Sequence, residues 1–591
     1  MKKKRLVALI CAFTLTVTGV LAGCGSEKKV DKQNSVSVDT GVSTSKGTES
    51  GSAQGSNQIP QNEYGAPGMI GNGEKITIAM MGSSLVEDYE NNYFTKLLEK
   101  DLNIDIEITV IPEEEYSTKV SMMLASGEKL PDLFIGKLDI VAVNEYGAQG
   151  YFIPLNEYLD NEAISPNWYA IPENDRKALL QQLTSPQDGN VYGLGELSVS
   201  IWNKSPYRML INRAWLDVLD LEMPTTTDEL YEVLKAFATK DPNGNGQKDE
   251  IGVYGHAAGG YGQNIIWALM NSFTFYDGGA QNNGFALAED GDTVIAPFVT
   301  DEWRKGLEYM RKLCEEGILA EDIFTNDATQ FKAILNAETP IVGFVSAGGL
   351  GNWADSDNNS NLLQMELLAP LTGPDGIAYT PTLGATMRVC TFITADCEEP
   401  ELAYALAEYL YNVHIGRTSF LGEKGVDWTN DPEVLADFTS AEVEAGFVPR
   451  ENMLLKRYKV DYDIQLTNHS VTWNTVNHCY GPTPSAIDRM APYDPESTAP
   501  SSVVKKNYYA SYMTAHPDKM LPVLVYTADE SKVMAEYATN IQSYVKSSTA
   551  EFITGQRKLD DTGWNEYLKT LEAYGLQKCL KASQDAYNRV K

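Results

Sequence analysis

The chain is poor in the groups that anchor common catalytic and metal chemistries. Its five histidines, His256, His414, His469, His478 and His516, are too scattered to make a zinc centre, and HExxH, GxSxG, Walker A and GxGxxG patterns are all absent. Beyond position 24 there are five cysteines: Cys314, Cys390, Cys397, Cys479 and Cys579. They are odd in number, dispersed and without CxxC spacing, so neither a disulfide framework nor a zinc ribbon follows. Cys390 and Cys397 are near enough in sequence to pair; the alternative is buried free thiols. Basic charge is also scarce, with 47 Lys and Arg against 81 Asp and Glu, a net charge of −34. That balance disfavours nucleic acid and anionic lipid, and any polyanionic ligand unless a local basic pocket overrides it. No stretch after the first 23 residues approaches 18 uninterrupted apolar positions, so nothing there reads as a membrane span.

What those 23 residues do contain is a basic start, Lys2 to Arg5, and an apolar run from Leu6 to Val20, followed by Leu21-Ala22-Gly23-Cys24. This is a signal-peptide pattern whose last four residues resemble the bacterial lipobox. Cys24 is then the expected lipidated N-terminus of the mature protein, which reaches the membrane only through that anchor on the extracytoplasmic face. Two acyl chains hold durably where one is marginal. Removing residues 1–23 takes away four basic and no acidic residues, leaving 43 Lys and Arg against 81 Asp and Glu, a net charge of −38. Residues 24–74 are rich in Ser, Gly, Thr, Lys, Gln and Asn and cannot bury a core. They read as a flexible tether with a root-mean-square reach on the order of 40 Å.

From 75 onward, strand and helix patterns alternate. Ile76, Ile78 and Met80 have strand period, Phe94, Leu97 and Leu98 share a helix face, and 106–110 is a second strand. A helix over 115–126 and a short strand at 133–135 follow. Thr226 and Glu229 form a capping box for a helix over 227–238. Strands are expected at 341–346 and 391–394, and a helix at 399–412. The last sixty residues read as helical, with breaks at Gly555, Gly563 and Gly575. Alternation of this kind implies α/β architecture with mostly parallel sheets flanked by helices.

Residues 241–250 carry a metal-site pattern. Asp241, Asn243 and Asn245 present side-chain oxygens at alternate positions, Gly246 permits a sharp turn, Gln247 offers its backbone carbonyl, and Asp249 and Glu250 add carboxylates. Such a loop suits Ca2+, which takes six to eight oxygens. Gly252 stands where an EF-hand needs its bidentate Glu, and the residues after it do not read as a second helix, so the ion would be structural. The alternative is a polar turn.

Residues 124–134, Leu-Ala-Ser-Gly-Glu-Lys-Leu-Pro-Asp-Leu-Phe, resemble a segment of the family 1 bacterial extracellular solute-binding proteins, the receptors of carbohydrate-importing ABC systems. The block 209–250 is similar to the subgroup of that family with an EF-hand-like calcium loop, as are Glu551 to Gly555, Trp564, Tyr567 and Ala586 to Arg589. The resemblance implies a two-lobed periplasmic-binding-protein-like fold of type II with a helical C-terminal region. One lobe would comprise 75–196 with 386–440 and the other 197–385 with 441–591, the chain crossing near Tyr192–Ser200, near Ala385–Arg388 and around 440. It also implies an oligosaccharide ligand, ABC permease subunits as partners, a monomeric receptor and no catalysis.

In such proteins ligands lie at the carboxyl ends of strands between lobes, where aromatic rings stack on sugar C–H faces. The strand-end candidates are Ser83, Lys137, Asp139, Glu196, Trp202, Tyr261, Trp267 and Trp353, with Trp473 in the third crossing region. Each tryptophan has a competing reading as core; Trp215 and Trp564 fit helix faces and are assigned there. An extracellular glycosidase or lyase is the alternative function, since two carboxylates suffice for glycoside hydrolysis. A surface adhesin is disfavoured, because neither repeats nor sandwich patterning is present.

Overall fold

The computed structural model describes residues 68–198, 204–349, 359–383, 386–426, 428–429, 454–455, 470–473 and 511–591. The signal segment, Cys24, most of the tether, Trp202, Trp353 and the crossing expected around 440 lie outside them. Eleven strands build two main sheets and a hairpin: β1 (Glu74–Gly82), β2 (Ile104–Pro112), β3 (Leu133–Leu138), β4 (Leu194–Ser198), β5 (Arg208–Asn212), β6 (Ile251–Val253), β7 (Ala286–Leu287), β8 (Val294–Ile295), β9 (Val342–Ala347), β10 (Met365–Leu368) and β11 (Thr386–Ile393). The first sheet has the order β2-β1-β3-β11-β4, the second β10-β5-β9-β6, and β7 pairs with β8.

β1 lies parallel to β2 and β3 with Ile76 opposite Ile106 and Ile78 opposite Ile108, so the apolar positions of the sequence pattern stack on one face. Ala79 and Met81 are buried as well, because helices cover the other face of this strand. The Pro131-Asp132 pair has a mechanical role. One carboxylate oxygen of Asp132 accepts from the Thr77 backbone N–H at 2.8 Å and from its hydroxyl at 2.6 Å, fastening the start of β3 to β1.

The expected predominance of parallel strands is corrected. β11 runs antiparallel to both β3 and β4, and β5 runs antiparallel to both β9 and β10, leaving β6 and β9 as the parallel pair of the second sheet. The reason is the transfer of chain between sheets. β4 ends the first passage through one sheet and β5 opens the next, while β11 brings the chain back. Strands that arrive from another lobe need not obey the direction that a βαβ crossover imposes.

Two cores follow the two sheets. One gathers Ile76, Phe94, Leu98, Phe134, Phe392, Tyr404 and Trp473; the other gathers Trp215, Phe237, Trp303, Phe344, Phe552 and Trp564. Trp215 and Trp564 are therefore core, as their helix positions predict. The segment 470–473 was expected in the second lobe and packs in the first. The carbonyls of Ser470 and Val471 accept the N–H groups of Tyr93 and Phe94, both at 3.1 Å, where the helix Tyr93–Leu102 leaves donors unpaired.

The C-terminal region forms helices Ala528–Ile553, Asp561–Ala573 and Leu576–Asn588. Gly555 and Gly575 interrupt them as expected, at φ of +77° and +87°. Gly563 does not: it lies inside the second helix and gives its N–H to the Asp560 cap at 2.9 Å. A Cβ there would stand 2.0 Å from the Lys558 carbonyl oxygen, so a side chain is excluded by contact and not by backbone conformation. Among the described residues no helix is long and apolar enough to cross a membrane.

Candidate functional site

The carboxyl ends of β6 and β9 and the start of β5 share one edge of the second sheet, since Arg208 pairs with Ala347 and Val253 with Phe344. The loop after β6 folds back over this edge. The Tyr261 carbonyl accepts the Gly348 N–H at 2.7 Å, and the Ser346 hydroxyl donates to the Gly262 carbonyl at 2.7 Å. A Cβ on Gly262 would come within 1.9 Å of the Pro206 oxygen, so the loop also touches the segment that enters the second lobe. Tyr261 itself adopts a φ of +48°, uncommon for a residue with a side chain. The residue is 40% exposed although those two hydrogen bonds hold its backbone and its ring lies against Gly348. Partial burial pushes its pKa up, and the Arg208 charge acts in the opposite sense.

At the first sheet, Ser83 follows β1 and borders a depression of about 600 Å3 at the ends of β1 and β2. Its N–H donates to the Tyr89 hydroxyl at 2.7 Å, and its own oxygen accepts from the Leu85 N–H. Glu87, Asp88, Glu90, Glu113 and Glu114 make this depression acidic.

The other sequence candidates separate by environment. Asp139 caps the helix Ile140–Ala148, accepting from the Val141 N–H at 2.9 Å, and Lys137 pairs with Glu113 at 3.6 Å. Each thus has a partner within the first lobe, with Asp139 exposed and Lys137 half-buried. Glu196 stands in β4 opposite Arg388 of β11, and nothing further is described of its side chain. Trp473 is corrected to core: it is fully buried, edge-on to Phe94, and its indole N–H donates to the Thr95 hydroxyl at 2.5 Å. Trp267 is likewise mostly core, packed on Tyr276 and Trp303; its 7% exposure accompanies a place in the wall of a cavity of about 330 Å3.

Sequence reasoning missed Asn144. It lies on Ile140–Ala148, is 2% exposed, and neither its amide nitrogen nor its oxygen has a hydrogen-bond partner among the described residues. A buried amide left unmet costs roughly 1–3 kcal/mol, so it is a natural place for ligand hydroxyls to bond. That helix and Ala528–Ile553, which belong to different cores, approach within 8 Å between Cα atoms. The signal available was an asparagine amid Ile-Val-Ala-Val.

The loop 241–250 follows the helix Thr227–Thr239, whose capping box is present, and leads into β6, so no second helix follows. Gly244 and Gly246 take φ of +69° and +75°. Asp241 accepts from the N–H groups of Asn245 and Gly246, at 3.1 and 2.9 Å, and Asp249 from the side-chain amide of Asn245. One oxygen of Glu250 is buried without a hydrogen-bond partner among the described residues, and burial together with the charges of Asp249 and Asp241 raises its pKa. A cation would satisfy that oxygen and neutralise the repulsion, so the donor set fits a hard metal ion. Among the described residues no group of three or more His, Cys, Asp and Glu is arranged as a metal centre, so the donors that count here include amides and a carbonyl.

Two α/β lobes, strand ends fastened around an exposed tyrosine and an unmet amide define a two-lobed ligand-binding protein. A sequence model of the family described as bacterial extracellular solute-binding protein matches residues 83–413, more than half of the chain. The chain belongs to that family, and it is a binding protein and not an enzyme. Lipoprotein LipO of Bacillus subtilis is 27% identical over 377 residues, 63% of this chain and 70% of its own. The fructooligosaccharide ABC transporter substrate-binding protein FusA of Streptococcus pneumoniae is 24% identical over 553 residues, covering 87% of this chain and 91% of its own. A solved structure of FusA described as an EF-hand mutant in complex with fructo-nystose aligns with a TM-score of 0.60 at 22% identity, over 87% of this chain and 99% of that one. An HMO-binding solute-binding protein from Bifidobacterium longum infantis aligns with a TM-score of 0.68 at 21% identity, over 88% and 99% of the two chains. The fold is therefore the type II periplasmic-binding-protein-like fold.

Proposed function

We propose that this protein is a lipid-anchored, monomeric receptor that captures an oligosaccharide between its lobes and delivers it to the permease subunits of an ABC importer. The observation that carries this reading is Tyr261: an exposed ring on a rigidly fastened loop at the strand ends of the second sheet, suited to stack on a sugar. Asn144 on the first lobe supplies a donor and an acceptor of the kind that sugar hydroxyls need, and Ser83 stands at another strand end. The candidates Glu196, Trp202 and Trp353 belong to the same proposal. The names of FusA and of the HMO-binding protein support a carbohydrate ligand, and that of LipO supports lipidation at Cys24.

Asp241, Asn243, Asn245, Gln247 through its carbonyl, Asp249 and Glu250 would hold a structural Ca2+; the buried oxygen of Glu250 and the EF-hand of FusA support this. The ion would tie the loop between Thr227–Thr239 and β6.

Titration calorimetry against a panel of neutral and acidic oligosaccharides, with reducing ends assayed on the same samples, tests the reading. Saturable binding without new reducing ends is expected, with Tyr261→Ala and Asn144→Leu each weakening it by roughly tenfold. Turnover, or binding indifferent to both substitutions, would contradict it.

A further inference from the structure

The 330 Å3 cavity lies in the second lobe between the region after β6 and the long helix Ala528–Ile553. Its volume is at the small end of ligand pockets, which run about 300–1,000 Å3, and suits a single sugar residue better than a chain. One wall is apolar, made by Ile266, Trp267 and Phe324. The helix wall is polar and includes Ser543, Lys546 and Thr549. An apolar wall facing a polar one matches a pyranose, whose C–H face is apolar and whose rim is polar.

Among the described residues, the side chains of Ser543, Lys546 and Thr549 on the polar wall make no hydrogen bond or ion pair. Thr549 is only 3% exposed, and its hydroxyl makes no hydrogen bond among the described residues. Buried helical hydroxyls ordinarily bond back one turn. Thr554 does so, to the Ala550 carbonyl, and Thr570 to the Glu566 carbonyl. Lys546 is solvent-exposed and has no ion pair among the described residues, whereas Lys532 on the same helix pairs with Asp529 and Arg557 just beyond it pairs with Glu551. On a chain of net charge −34 an anionic ligand meets general repulsion. A lone ammonium at the wall of a small, mostly apolar cavity supplies the local exception.

We infer that this cavity is a subsite for a sugar residue bearing a carboxylate, a hexuronate, with Lys546 as counter-cation, Thr549 as hydrogen-bond partner and the ring against the Trp267 wall. The inference rests on the receptor reading above and narrows its ligand class. Charge-assisted bonds from ammonium to carboxylate are about twice as strong as neutral ones, so the preference should be measurable.

The test uses the full chain and calorimetric titration with trisaccharides of galacturonate, glucuronate and mannuronate, each beside its carboxyl-reduced neutral counterpart. At least one uronate should bind roughly tenfold or more tightly than its counterpart, and the advantage should shrink as salt rises. Lys546→Met should remove that advantage while leaving affinity for the neutral sugar within about twofold. Thr549→Val, close in shape, should weaken both. Equal binding of the two members of every pair, or a uronate affinity unmoved by Lys546→Met, would overturn the inference. Neutral sugars binding while no uronate does would sink it and leave the receptor reading intact; silence towards every saccharide would sink both.

Discussion

Glu408 is a fully buried carboxylate with no cation beside it among the described residues. Its oxygens accept from the Asn167 and Trp168 backbone N–H groups and from the Asn167 amide, and Trp168 in turn packs edge-on against Tyr411, whose hydroxyl bonds both the N–H and the carbonyl of Gly195 in β4. Burial outweighs those N–H bonds and pushes the carboxyl up to about 7 from an ordinary 4.5. The folded state therefore holds a proton that the unfolded state has lost between those values. The stabilisation is full below about pH 4.5 and disappears as pH rises through 7, a change on the order of 3 kcal/mol. Asp277, raised by burial to about 6, adds a smaller trend of the same sign in the second lobe. Urea unfolding should show wild-type stability declining from pH 5 to 8, with a flatter profile in Glu408→Gln. Parallel profiles would refute this assignment.

Among the elements, those with strong local signals were legible: the strands β1 to β3, the helices between them, the Thr226 capping box and the absence of a second helix after the 241–250 loop. Mixed strand direction was not, because period-2 patterning carries no information on which way a strand returns from another lobe. The two-residue strands β7 and β8 are too short to make a pattern. Glycine usually marks a break, whereas Gly563 admits the Lys558 carbonyl inside a continuous helix. Gly563→Ala should lower stability by roughly 1–3 kcal/mol, since the backbone oxygen cannot yield as a side chain could; a thermal melt unchanged from wild type would contradict this. For the 241–250 loop, chelation should lower the unfolding temperature and added Ca2+ should restore it. Glu250→Gln should shrink that calcium-dependent shift. A melt insensitive to EDTA at low free calcium would remove the ion from the account.

At the scale of the whole molecule, the two-lobed class was legible because sequence segments on both lobes carry it, whereas the site was only partly so. A tryptophan at a strand end can turn inwards or outwards, and sequence alone does not say which: Trp473 is clamped by Thr95 and Phe94, and Trp267 by Tyr276 and Trp303. Tyr261 is a candidate from sequence through its glycine neighbours, whereas Asn144, Lys546 and Thr549 are proposed from their burial and hydrogen bonding, which sequence does not carry. The structure also gives the central claim a mechanical basis, with chain passing from β4 into β5 and back through β11 between two separately packed cores. Small-angle scattering of the full chain, with and without the best oligosaccharide from the binding panel at saturation, tests it most directly. Capture between lobes predicts a smaller radius of gyration in the bound state, reversed when the sugar is removed. An unchanged radius at saturation, with the sugar bound and intact, would contradict capture by closure.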